Sequence, residues 1–74
     1  MITGAQIRAA RAFLKWSGRD LAQRSEVSYP ALQRAENADG MPNMQTKNLA
    51  AIKSALEAGG IRFVDNGVIY DGTK

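Results

Sequence analysis

The apolar positions of this 74-residue chain recur at helical spacing four times and then change to alternation. Thr3-Gly4-Ala5-Gln6 has the form of a capping box, in which a hydroxyl and an amide side chain satisfy free backbone N–H groups at a helix start. Ile7, Ala10 and Leu14 follow on one face, which predicts a first helix over about 4–14. Ser17, with Asp20 three residues on, opens a second helix of about 18–24 whose Leu21 and Ala22 turn inward. Trp16 is placed to plug the gap between helices. Ser25-Glu26-Val27-Ser28 is poor helix material and interrupts the pattern. Ser28 is a third cap. Pro30 then falls in the first turn of a third helix, about 29–37, where its missing N–H breaks no intrahelical bond. Leu32 and Ala35 point inward there. Asp39-Gly40 and Pro42 mark a loop. Asn43 is expected to cap a fourth helix of about 44–58, with Leu49, Ile52, Ala55 and Leu56 toward the core and Gly59-Gly60 as its stop.

The tail reads differently. Ile61 to Asp65 and Val68 to Asp71 flank Asn66-Gly67, a strong short hairpin signal. A two-residue turn at Asn66-Gly67 pairs Asp65 with Val68 and Phe63 with Tyr70. Ile61, Phe63, Val68 and Tyr70 then share one face, and Arg62, Val64, Ile69 and Asp71 the other. The expected fold is mostly α: a four-helix unit over residues 1–60 and a C-terminal β-hairpin over 61–74. A lone two-stranded hairpin is marginal in water, and both faces of this one carry apolar groups. One face is expected to cover helices 1 and 4. The second face, or an edge, is expected to join a second copy through Ile61, Phe63, Val64, Val68, Ile69 and Tyr70.

Composition sharpens this picture. A domain of this size buries only about 60% of its unfolded surface, so its core is small. The chain has no cysteine and no histidine, which removes disulfides and the common zinc sites; no metal or cofactor is expected. Efficient helix packing, oligomerisation, or both must stabilise it. No apolar run reaches the roughly 18 residues of a membrane span, and MITGAQIRAAR lacks the apolar stretch of a secretory signal. Lack of cysteine also fits a reducing cytoplasm. An enzyme is not expected: besides the missing histidine and cysteine, no cluster of carboxylates suggests acid–base work.

Charge is uneven. Residues 1–34 carry Arg8, Arg11, Lys15, Arg19, Arg24 and Arg34 against Asp20 and Glu26, a net of +4, while residues 35–74 come to −1. A basic half suits a polyanion such as nucleic acid. Arg8, Lys15 and Arg19 read either as a solvated face or as phosphate contacts. Met41 and Met44 read as gap fillers around the loop. Phe63 and Tyr70 read as core or dimer packing, and Tyr29 beside Pro30 as a base contact or a protein-binding edge.

Two short helices joined by a break of three or four residues form a helix-turn-helix candidate. Leu21, Ala22, Val27 and Leu32 can meet in one small core and set the third helix steeply on the second. Its outer residues Tyr29, Pro30, Gln33 and Arg34 are then free. The stretch from Ile7 to Glu36, with Arg11, Leu14, Ser17, Leu21-Ala22, Val27-Ser28, Leu32 and Glu36 at matching spacing, resembles the helix-turn-helix domains of the phage-repressor/Cro type, the XRE family. The resemblance covers about residues 5–58. It implies a lambda-repressor-like four-helix fold and a transcription regulator, in the repressor mould, that binds double-stranded DNA in a bacterial or phage-derived nucleoid.

By position, the resemblance makes Tyr29, Pro30, Gln33 and Arg34 base readers and Arg11–Glu36 an internal ion pair. It makes Arg8, Arg11, Lys15, Ser17, Gly18, Arg19, Ser28, Asn37, Asn43 and Lys47 backbone contacts. It also implies a homodimer on a short palindrome. Two departures stand out. Gly18 replaces a frequent glutamine that orients on a phosphate, and Glu26 replaces a frequent glycine in the turn. These departures and the hairpin leave a second reading open, a protein-interaction module such as an antiactivator or antitoxin that binds a partner regulator.

Overall fold

A computed structural model describes residues 2–38, 40, 42 and 44–71 of the chain. It is mostly α, with four helices followed by an antiparallel hairpin: α1 (Gly4–Leu14), α2 (Gly18–Ser25), α3 (Tyr29–Asn37), α4 (Thr46–Ala58), β1 (Ile61–Val64) and β2 (Gly67–Tyr70). Met1, Asp39, Met41, Asn43 and Gly72 to Lys74 lie outside the described residues.

The helix starts are local chemistry. Thr3 and Gln6 close the capping box of α1, and Ser17 and Asp20 close a second one on α2. The Ser28 hydroxyl accepts from the Ala31 N–H, with Pro30 in the first turn of α3. The ends are equally specific. Lys15 adopts a left-handed φ of 59°; its N–H bonds Ala12 and the Trp16 N–H bonds Arg11, a Schellman closure. Glu26 ends α2 with φ 60°, in the left-handed conformation that glycine takes without strain. Inside this turn the Ser25 hydroxyl donates to the Ala22 carbonyl and accepts from the Val27 N–H, which secures the break between α2 and α3.

Packing follows from these ends. Ile7 and Ala10 of α1, Leu21 and Ala22 of α2, Val27, Leu32 and Ala35, and Leu49, Ile52 and Leu56 of α4 form one core with Ile2 and Ile61. Each fully buried leucine or isoleucine contributes about 1.5–3 kcal/mol relative to exposure. α2 packs on α3 and α4, and α1 on α3. At Gly4 the first turn of α1 meets the end of α3 so closely that a Cβ would overlap the carbonyl oxygens of Ala35 and Ala38. Leu14 and Trp16 both rest against Gly59, and the Arg24 guanidinium lies 4.2 Å over the Trp16 ring.

Two boundaries differ from expectation. α2 runs one residue further, to Ser25, and α4 begins at Thr46 rather than at residue 44. Gln45 is extended (φ −62°, ψ 140°) and occupies the cap position without a side-chain hydrogen bond. Met44, just before it, is half-buried against the core and lines one depression with Ala31 and Ala35.

The hairpin docks with β2 on α1 and β1 on α4. Its register corrects the expected one: Val64 pairs with Gly67, Phe63 with Val68, Arg62 with Ile69 and Ile61 with Tyr70. Asn66 alone takes the left-handed φ, 60°, while Gly67 enters the strand. The turn is therefore Asp65-Asn66, not a type I′ turn at Asn66-Gly67, which would need positive φ at both central residues. Each partner moves by two residues, and side chains alternate with period two, so the predicted faces survive. The Gln6 amide nitrogen donates to the carbonyls of Val64 (2.7 Å) and Gly67 (2.9 Å), and so holds the turn against α1. Ile61 was expected at a dimer face; at 3% exposure it belongs to the chain's own core.

Candidate nucleic-acid interface

The outer side of α3 is built on a clamp. Nε and Nη2 of Arg11 donate to the two carboxylate oxygens of Glu36, each at 2.8 Å, and Nη1 donates to the Trp16 carbonyl at 3.0 Å. The side chains retain 26% and 10% of their exposure. The Arg11 guanidinium is held above its ordinary pKa, chiefly by the Glu36 hydrogen bond and against its own partial burial, with the Glu36 and Tyr29 charges adding to the rise. Arg8 donates from Nη1 to the Glu36 backbone carbonyl. Two arginines of α1 thus grip the last turn of α3.

This grip turns Leu32, Ala35 and Glu36 inward and leaves Pro30, Gln33, Arg34 and Asn37 exposed. Two open depressions flank the helix. One is lined by Arg11, Gly18, Tyr29, Gln33 and Asn37, among others. The other brings Arg34 together with Gln45 and Asn48 from the start of α4. Gln45 and Asn48 were not read from the sequence as part of this side. Their polar i, i+3 spacing at a helix start was the available signal. Lys47, exposed in that same first turn, is their neighbour in sequence.

Tyr29 differs from expectation. It is half-buried rather than free. Its ring rests on Gly18, where a Cβ would lie 2.8 Å from Cε1, and the Arg19 guanidinium sits 4.6 Å from the ring centroid. Ser17 and Ser28 are exposed caps; each hydroxyl accepts a backbone N–H and keeps its own proton to donate. Asp20 sits in the Ser17 box with its pKa lowered, first by the Ser17 backbone N–H and then by the Ser17 hydroxyl. Lys15 is exposed in the left-handed cap beyond α1. Asn43 lies outside the described residues.

The hairpin presents a second surface. Phe13 and Tyr70 stack with centroids 6.3 Å apart, yet remain 53% and 47% exposed, and Val64 and Ile69 remain 43% and 41% exposed. Phe63 and Val68 are half-buried against the core. Among the described residues no helix is long and apolar enough to cross a membrane. No protein-family model matches the chain, and no curated protein is similar enough in sequence to count as a relative.

Proposed function

We propose that this protein is a sequence-specific regulator that binds double-stranded DNA and lays α3 in the major groove, in the manner its resemblance to phage-repressor/Cro-type domains implies. The observation that carries this reading is the division of α3: Leu32, Ala35 and Glu36 are locked inward while the consecutive residues Gln33 and Arg34 stand exposed on its outer side. Arg34 has the planar fork for guanine O6 and N7, and Gln33 the paired donor and acceptor for adenine. Pro30 lies beside them at the helix start, available for apolar contact. Arg8, Arg19, Asn37 and Lys47 are exposed polar or basic groups suited to phosphates.

A homodimer on a short palindrome is the assembly that suits so small a reader, with two copies of α3 spaced by one DNA turn, ~34 Å. The exposed Phe13, Val64, Ile69 and Tyr70 favour a protein contact on the hairpin side. The same observation supports the second reading, a module whose partner is another regulator. Occupancy of a promoter would block polymerase.

Selection of bound duplexes from a random pool tests the proposal. Enriched sequences should share an inverted repeat. Arg34→Ala should erase preference at defined base pairs, about 1–3 kcal/mol of discrimination each. A pool with no enrichment, or an Arg34→Ala preference identical to the parent's, would refute it.

A further inference from the structure

We infer that Tyr29 does not read a base but is the platform that positions Arg19, the two acting as one clamp on a backbone phosphate of the duplex beside α3. This rests on the DNA-binding reading above and reassigns one of its residues.

The geometry is specific to this chain. Gly18 is the first residue of α2 and Tyr29 the first of α3, so the tyrosine ring lies where two helix starts meet. Gly18 backs the Cε1 edge of the ring; the Arg19 guanidinium lies over the ring at 4.6 Å from its centroid. With one edge backed and the ring stacked, Tyr29 is not free to turn against a thymine methyl. Arg19 is exposed, so with its guanidinium carbon over the ring its N–H donors are accessible to a partner from outside the chain. That planar fork fits two oxygens of a phosphate. Stacking also restricts Arg19 before the duplex arrives, so less rotamer freedom is lost on docking.

The absence of a side chain at position 18 is the condition for this arrangement. A glutamine there, as in similar domains, would begin with a Cβ 2.8 Å from Cε1 and would displace the ring. A glutamine on the phosphate and an arginine stacked on a tyrosine are alternative solutions to the same contact. This chain has the second.

The test uses the full chain and duplexes enriched from the random pool, with affinity measured by fluorescence anisotropy over a salt series. Arg19→Ala should weaken enriched and scrambled duplexes by the same factor and reduce the salt slope by about 1. Arg19→Lys keeps the charge without the stacked fork and should lose about two- to fivefold, the range of an exposed cation–π contact. Tyr29→Phe should bind like the parent. Tyr29→Leu should match Arg19→Lys, add nothing further in an Arg19→Ala background, and leave base preference unchanged. Gly18→Ala should reproduce the loss by pushing the ring, without touching Arg19.

A shifted base preference in Tyr29→Leu, or losses at Tyr29 and Arg19 that multiply, would overturn the inference while leaving α3 as the reader. Parent-like binding by both Gly18→Ala and Arg19→Lys would overturn it too, even if Tyr29→Leu failed to fold. A parent chain that binds no duplex would end both proposals together.

Discussion

Replacing Arg11 by methionine isolates the clamp that holds α3. The substitution keeps helix propensity and apolar bulk, so the loss is electrostatic and hydrogen-bonded. Three acceptors lose their donor: both Glu36 oxygens and the Trp16 carbonyl. An exposed pair would be worth about 0–1 kcal/mol. Removing one partner of a fully buried pair costs about 3–5 kcal/mol. With 26% and 10% side-chain exposure, this pair lies between those limits, nearer the buried one on the Glu36 side. The expected loss is about 2–3 kcal/mol, which for a chain of this size lowers Tm by roughly 10–20 °C. Total stability on the order of 4–11 kcal/mol leaves the variant folded at room temperature.

Urea and thermal unfolding followed by far-UV circular dichroism would measure the loss. The double variant Arg11→Met/Glu36→Leu should recover more than half of it, because no carboxylate is then left unpaired in a half-dry site. A single-variant loss below about 0.5 kcal/mol would place the pair among ordinary surface ion pairs. A double variant as unstable as the sum of the two singles would show that packing, not charge, accounts for the clamp.

Gln6→Ala removes two bonds to the hairpin carbonyls and one to the Thr3 N–H, and should cost about 2 kcal/mol with faster amide exchange across β1 and β2; exchange unchanged in the hairpin would refute the latch. Glu26→Gly relieves a left-handed side chain at φ 60°, and should raise stability by about 1 kcal/mol in urea once the extra freedom of unfolded glycine is subtracted. A loss of stability there would mean that the strain is absent. Because the Asp20 carboxyl is depressed in the fold, its contribution is present above its ordinary value of 3.8 and is lost as pH falls through the lower folded value. An NMR titration of Asp20 should therefore give a midpoint below 3.8, and a midpoint at or above it would remove the capping box as a source of stability.

What the sequence by itself determined is where the first three helices begin. Thr3 with Gln6, Ser17 with Asp20, and Ser28 with Pro30 act across three residues or fewer, so their effect is legible without knowing the rest of the chain. The same holds for the inward faces, set by a helical period of about 3.6, and for the hairpin faces, where period two protected the prediction even though the register was off by two residues. Arg11–Glu36 was available only through resemblance, since 25 residues separate the partners.

Tertiary structure decided the rest. It turned Ile61 into core and made Gln6 a latch for carbonyls 58 and 61 residues away. It moved the turn to Asp65-Asn66, where Gln6 can reach both flanking carbonyls. It also half-buried Tyr29 by bringing a bare glycine beneath it. Caps and periods depend on the neighbours along the chain. Hydrogen-bond partners between distant segments, and the exposure left to an aromatic ring, depend on which surfaces meet when the core closes.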